Sequence, residues 1–222
     1  GGAWLVSHGL LNLTHRGGHA DPAPLTPGVA CDVELTLALT AHRFGAGSRI
    51  ALALSESPWP LVWPSPATPT LAFDLGPDSR LGLPVRLKET APFTLSIPER
   101  LSPPPPGAPR PTTDLDPVEP GLYRLVLDPP PAVSEIAATG ADFTRSRLEV
   151  SEIREGDPNS GIWRHRAASA WRRGDWDCAV EAEAELTSTE ARFHLTERLV
   201  ARLDGEVIFE RESRAVIDRD LI

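Results

Sequence analysis

The chain contains no methionine, only two cysteines, and a single lysine, Lys88, among its 22 basic residues. Each scarcity excludes something. Without methionine the chain does not begin at a natural start codon, and the expectation is that it forms the C-terminal part of a longer protein. Two cysteines as far apart as Cys31 and Cys178 cannot staple a small secreted fold, so both are read as buried thiols in a cytoplasmic protein. No apolar run approaches the roughly 20 residues of a membrane span, and no signal peptide is visible. Arginine in place of lysine, with abundant alanine and proline, points to a GC-rich bacterial genome. Basic surplus is also missing. The net charge is −9, which gives the chain no electrostatic reason to seek nucleic acid or an anionic membrane.

What is present is β patterning on a chain of 222 residues, long enough to bury a core. In residues 1–92 apolar side chains alternate with turn signals. Val29, Cys31, Val33, Leu35, Leu37 and Leu39 fall at period two, as do Ile50, Leu52 and Leu54, and then Leu71, Phe73 and Leu75. Period two is the mark of a strand with one buried face. Residues 93–145 are proline-rich. "LSPPPPGAPRPTTDLDPVEPG" can form neither helix nor central strand, because proline fixes φ and lacks the N–H donor. It reads as a stiff surface connection, with one short strand at "GLYRLVLD".

Residues 146–222 are rich in helix formers, yet Trp176, Cys178, Val180, Ala182, Ala184 and Leu186 alternate strictly. The breaks "RRGDW", "STEA" and "LDGEV" look like hairpins, the last with Asp204-Gly205 as a two-residue turn. The expectation is an antiparallel meander of four or five long strands; Leu195, Leu199 and Leu203 would suit a helical stripe equally well. "EGDPNSG", Glu155 to Gly161, reads as a turn. The fold class is therefore all-β, a sandwich with a C-terminal antiparallel β-meander.

No catalytic motif is complete. "LVSHG" around Ser7 has only the second glycine of a nucleophile elbow and no helix behind it, and "GAGSRI" lacks the third glycine and the helix that a phosphate loop requires. His15 and His19 have the four-residue spacing of zinc ligands on a helix, but Gly17-Gly18 lies between them. "HRGGHADP" reads as a polar turn in which Arg16 meets a carboxylate or backbone carbonyls. A metal-dependent sandwich enzyme of cupin type would need His15, His19 and His42 to converge. "SESPWPLVWPSP" is the most unusual segment. Trp59 and Trp63 sit on a proline-stiffened loop, suited to packing at an interface or to stacking on a sugar.

The order and spacing of "GLLNLTHR", "HADPAPLTPG", "HRFGAGSRIALALSESPWPLVWPSP" and "LGLPV" resemble the C-terminal non-catalytic domain of the cocaine esterase and X-Pro dipeptidyl-peptidase group of serine hydrolases. "EGDPNSGIWRHR…RRGDW" and the ending "VIDRDLI" resemble the C-terminal extension of many bacterial members. The resemblance implies a jelly-roll-like, galactose-binding-like β-sandwich packed against an α/β-hydrolase domain, normally N-terminal in the same polypeptide, that carries the serine triad. It carries over no catalytic, cofactor-binding or metal residue. It implies an accessory domain that supports the catalytic domain and walls its cleft, with homodimerisation as a further role. Trp59, Trp63, His15, Arg16 and His19 are the candidate interface residues. The alternative is a carbohydrate-binding module built on Trp59 and Trp63.

Overall fold

A computed structural model describes residues 2–56, 58–85 and 116–221. It is all-β: among the described residues the one helical element is a single 3-10 turn, Leu13–His15. Eight strands form one antiparallel sheet, β1 (Asp116–Glu119), β2 (Leu122–Leu127), β3 (Ala132–Ile136), β4 (Ala141–Arg154), β5 (Asp157–Arg173), β6 (Trp176–Ser188), β7 (Arg192–Leu203) and β8 (Glu206–Asp218). Their order is β1-β2-β4-β5-β6-β7-β8, with β3 pairing β4 beyond the end of β2. The alternation thus gives the meander it predicts, from β4 to β8, beginning at Ala141 rather than Ser146.

β2 and β3 lie along the same edge of β4. Leu127 is opposite Glu149 and Ala132 is opposite Arg145, so the two behave as one strand interrupted by Asp128-Pro129-Pro130-Pro131. Three consecutive prolines cannot supply ladder donors, and the ladder skips them. This is how a proline-rich stretch still carries strands: β2 and β3 use the residues between its prolines, and β1, which includes Pro117, lies at the edge of the sheet. The "EGDPNSG" segment also differs from the sequence reading. Only Glu155-Gly156 turn, with Gly156 at φ 76°, and β5 begins at Asp157. Pro158 is tolerated there because the register slips between Glu152 and Arg154 on the facing strand.

The helix-forming sequence "AVEAEAEL" is wholly strand, and Leu195, Leu199 and Leu203 share one face of β7. Alternation decides, because it sets the apolar side chains of neighbouring strands side by side on one face, with Leu199 still 37% exposed there. Trp163, Ala167, Val180, Ala182, Leu186, Leu195 and Leu199 share one side of the sheet by their register. The other side is a field of cross-strand ion pairs, including Arg164–Glu185 at 2.6 Å, Arg198–Glu210 at 2.7 Å and the Arg166–Glu183 pair.

Residues 29–39, 50–54 and 71–75, where strands are expected, have no ladder partner among the described residues. The first of these segments does approach residues 7–8. Ala38 N donates to His8 O at 2.8 Å and Ser7 Oγ donates to Ala38 O at 2.7 Å. Their apolar side chains are uncovered: Trp4 is 85% exposed and Leu39 is fully exposed. Cys31 is exposed and Cys178 half-buried, both free, so the buried-thiol reading fails for Cys31. Among the described residues no helix is long and apolar enough to cross a membrane.

Candidate functional site

Among the described residues, the loop Pro58–Pro66 is stiffened by Pro58, Pro60, Pro64 and Pro66. Its prolines limit the unfolded chain as well as the folded one, which lowers the entropy cost of ordering it. Leu61 N and Val62 N both donate to Pro58 O, at 2.8 and 3.3 Å, closing a tight turn that turns Trp59 and Trp63 toward each other. The two indoles meet edge-on, centroids 5.1 Å apart at 80°. Both lie on Gly161 of β5. A Cβ there would stand 3.2 Å from Trp63 Cζ2 and 3.4 Å from Trp59 Cη2, so the strand supplies a bare patch of backbone where the rings sit. Trp63 also meets Phe193 edge-on at 5.8 Å and donates its Nε1–H to Ser188 Oγ at 2.9 Å.

Arg219, just past β8, completes the junction. It is 8% exposed. Nη2 donates to Pro64 O at 2.6 Å, and Nη1 donates to Asn159 Oδ1 and Thr189 O, each at 3.1 Å. The guanidinium carbon stands 4.8 Å over the Phe193 ring. Burial lowers its pKa from the ordinary arginine value, but arginine remains charged. Its charge is balanced by carbonyl dipoles and a ring face, as the cation–π geometry allows. Asn159 Nδ2 donates to Pro66 O at 3.0 Å, so two carbonyls of the loop are held from the meander. A cleft of about 230 Å³ opens beside Trp59 and Pro64, floored by Ile153–Pro158.

The opening turn is held by the same tail. Asn12 Nδ2 donates to Leu221 O at 2.9 Å, and Thr14 Oγ1 is 2.8 Å from the same carbonyl. Arg16 Nη1 donates to Leu13 O and Ala23 O at 3.1 and 2.8 Å, and Nη2 reaches Pro24 O at 3.3 Å; its partners are carbonyls. His15 Nδ1 and His19 Nδ1 are 3.0 Å apart, one donating to the other. His42 stacks edge-on against Phe44 at 4.8 Å. Among the described residues no three histidine, cysteine or carboxylate side chains gather as a metal group. The convergence a cupin-type site requires is therefore not formed by His15, His19 and His42. Ser7 Oγ gives its hydrogen to the Ala38 backbone carbonyl.

A wider groove of about 490 Å³ lies over the charged side of the sheet, lined by Arg164, Arg166, Glu183, Glu185 and Arg198. Several of its charges are matched within the sheet. Glu152, 13% exposed, bridges Arg124 at 3.0 Å and Arg164 at 3.3 Å. Arg198 is held above its ordinary pKa first by its hydrogen bond to Glu210 and then by that carboxylate's charge. Exposed pairs of this kind satisfy one another's charge and add little stability each.

Sequence reasoning found the two tryptophans and missed Arg219, Asn159, Gly161, Ser188 and Phe193. One signal was available: a glycine inside a strand pattern marks close approach by another group. Arg219 lay within "VIDRDLI", a quoted ending with no chemistry of its own until the fold brought it to Pro64.

The site and fold define a β-sheet module whose loops are clamped to it by ring and guanidinium contacts. Residues 1–92 match the model of the X-Pro dipeptidyl-peptidase C-terminal non-catalytic domain family. A putative Xaa-Pro dipeptidyl-peptidase of Streptomyces avermitilis is 37% identical over 71 residues, which span 32% of this chain and 10% of that protein. The chain therefore matches about a tenth of that relative's length. No solved structure matches.

Proposed function

We propose that the chain is the accessory C-terminal portion of a bacterial, cytoplasmic α/β-hydrolase of the serine esterase, acylase or X-Pro dipeptidyl-peptidase type. It supports the catalytic domain and forms a wall of its active-site cleft. The family match over residues 1–92 carries this reading. The exposure of Trp4, Leu5, Leu39 and Leu75, at 85, 83, 103 and 76%, supports it. A region with this much uncovered apolar surface is built to be covered, and a catalytic domain in the same polypeptide is the partner the family supplies. Acyl transfer would run through a serine outside this chain. The clamp at Trp63 and Arg219 would hold the jelly-roll portion and the meander as one wall.

The test is turnover and labelling on the purified chain. Simple aryl esters and X-Pro anilides should go unhydrolysed, and a fluorophosphonate probe should leave every serine unmodified. Hydrolysis that disappears when one of the chain's own serines is labelled would refute the accessory role.

A further inference from the structure

The side of the sheet that carries Trp163 has no second layer. Among the described residues every contact between elements runs between strands paired in the sheet. Its apolar side chains are open accordingly. Leu199, Trp176, Phe209 and Ile217 share this side by register and are 37, 43, 48 and 51% exposed. A sheet with one apolar face is stable when another layer covers that face, and uncovered apolar surface of this extent marks a place of contact.

One end of this side is already an interface. Gly161, Ser188 and Phe193 receive the Trp59–Trp63 loop there. The apolar surface runs on from them without a break: Trp163 follows Gly161 along β5, Leu186 precedes Ser188 along β6, and Leu195 follows Phe193 along β7. A body that packs on this side therefore abuts the tryptophan loop as well.

Charge narrows what that body is. The chain is acidic, at −9, yet this side offers uncommitted cations. Arg145 and Arg147 of β4 and Arg211 of β8 lie opposite Ser169, Ala167 and Leu199. All three are exposed, and none is in an ion pair among the described residues. Two carboxylates of the same side are engaged: Glu149 accepts from Trp163 Nε1 at 3.2 Å, and Glu197 accepts from Ser213 Oγ at 2.9 Å. The surface complementary to this one is an apolar patch flanked by carboxylates.

We infer that this side of the meander is the seat of the catalytic domain of the same polypeptide. An apolar patch of that domain packs across β5, β6 and β7, and carboxylates at its margin pair with Arg145, Arg147 and Arg211. The inference rests on the accessory reading above and adds to it the surface and the chemistry of the contact.

Phenylglyoxal labelling of the polypeptide in which the hydrolase domain precedes this chain tests it. Arg214 is the internal reference: it is exposed, in no ion pair among the described residues, and on the opposite side of the sheet, across from Thr196. Arg145, Arg147 and Arg211 should react about tenfold more slowly than Arg214, because the contact between domains must open to admit the reagent. Arg147→Glu with Arg211→Glu sets carboxylate against carboxylate, and Arg145 should then react as fast as Arg214. Equal rates for all four arginines in an active enzyme, or an Arg145 still protected in the double variant, would overturn the docking surface and leave the accessory role standing. Protection that the 222-residue chain shows by itself would place the cover within this chain and overturn the surface too. A polypeptide with no hydrolase domain would overturn the accessory reading, and this inference with it.

Discussion

Arg219 Nη2 holds the carbonyl of Pro64 at 2.6 Å, joining two residues 155 positions apart. The same guanidinium serves Asn159 and Thr189, so one side chain ties the tryptophan loop, the start of β5 and the β6–β7 turn. Arg219→Ala removes three donations and leaves nearly buried carbonyls without a partner. The expected loss is about 2–3 kcal/mol, since bonds to charged groups are stronger and orphaned acceptors costly. Arg219→Lys should recover about half, because an ammonium cannot span the fork of acceptors. Urea unfolding followed by tryptophan emission measures both; equal losses for the two variants would deny the fork its role.

Gly161→Ala sets two effects against each other. A strand glycine replaced by alanine gains up to about 1 kcal/mol from the unfolded chain. Here the new methyl stands 3.2 Å from Trp63 and 3.4 Å from Trp59, rings pinned by Ser188, Phe193 and each other. Overpacking against rings that cannot retreat costs about 1–3 kcal/mol, and the net is a destabilisation of roughly 1 kcal/mol. A rise in melting temperature would show that the indoles yield freely.

Trp63 and Ser188 form a pair suited to a double-mutant cycle. Ser188 is 8% exposed, and its hydroxyl accepts the indole N–H at 2.9 Å. Trp63→Phe keeps a ring on Gly161 but drops the donor; Ser188→Ala drops the acceptor. The coupling should be about 1 kcal/mol. Additive losses would mean that the ring's packing alone holds the loop.

How much of this was legible in the sequence follows from the range of the interactions. Hairpins are local. Asp204 and Gly205, at φ 51° and 85°, occupy the left-handed positions their side chains suit, and Asp204 Oδ1 further accepts Asp177 N at 3.0 Å. Strand faces are local too, as the alternation of β6 shows. β1 and β3 were missed because proline density hides short strands, β1 including Pro117 itself, and Asp157 to Gly161 was read as a turn because a register slip that tolerates Pro158 is set by the facing strand. The clamp was illegible because each of its members is ordinary alone. Nothing near Arg219 in the chain foretells Pro64, and Ser188 is one polar residue at a hairpin end. The family-matched region was recognisable by the order of its segments, while its alternating strands found no ladder because pairing is a property of two segments.

His15 and His19 give a prediction about metal. Their Nδ1 atoms are 3.0 Å apart and share a hydrogen, so binding a cation would first break that bond. Zinc needs about 2.0–2.1 Å to each nitrogen and, for a retained site, three or four protein ligands. The described residues offer no third donor in a group with these two, and the turn that carries them is held by Asn12, Thr14 and Arg16 to carbonyls. Added zinc should therefore leave the melting temperature unchanged, and dialysed protein should hold none by elemental analysis. One equivalent that survives dialysis and vanishes in His19→Ala would establish a metal role for this turn and reopen the enzymatic reading.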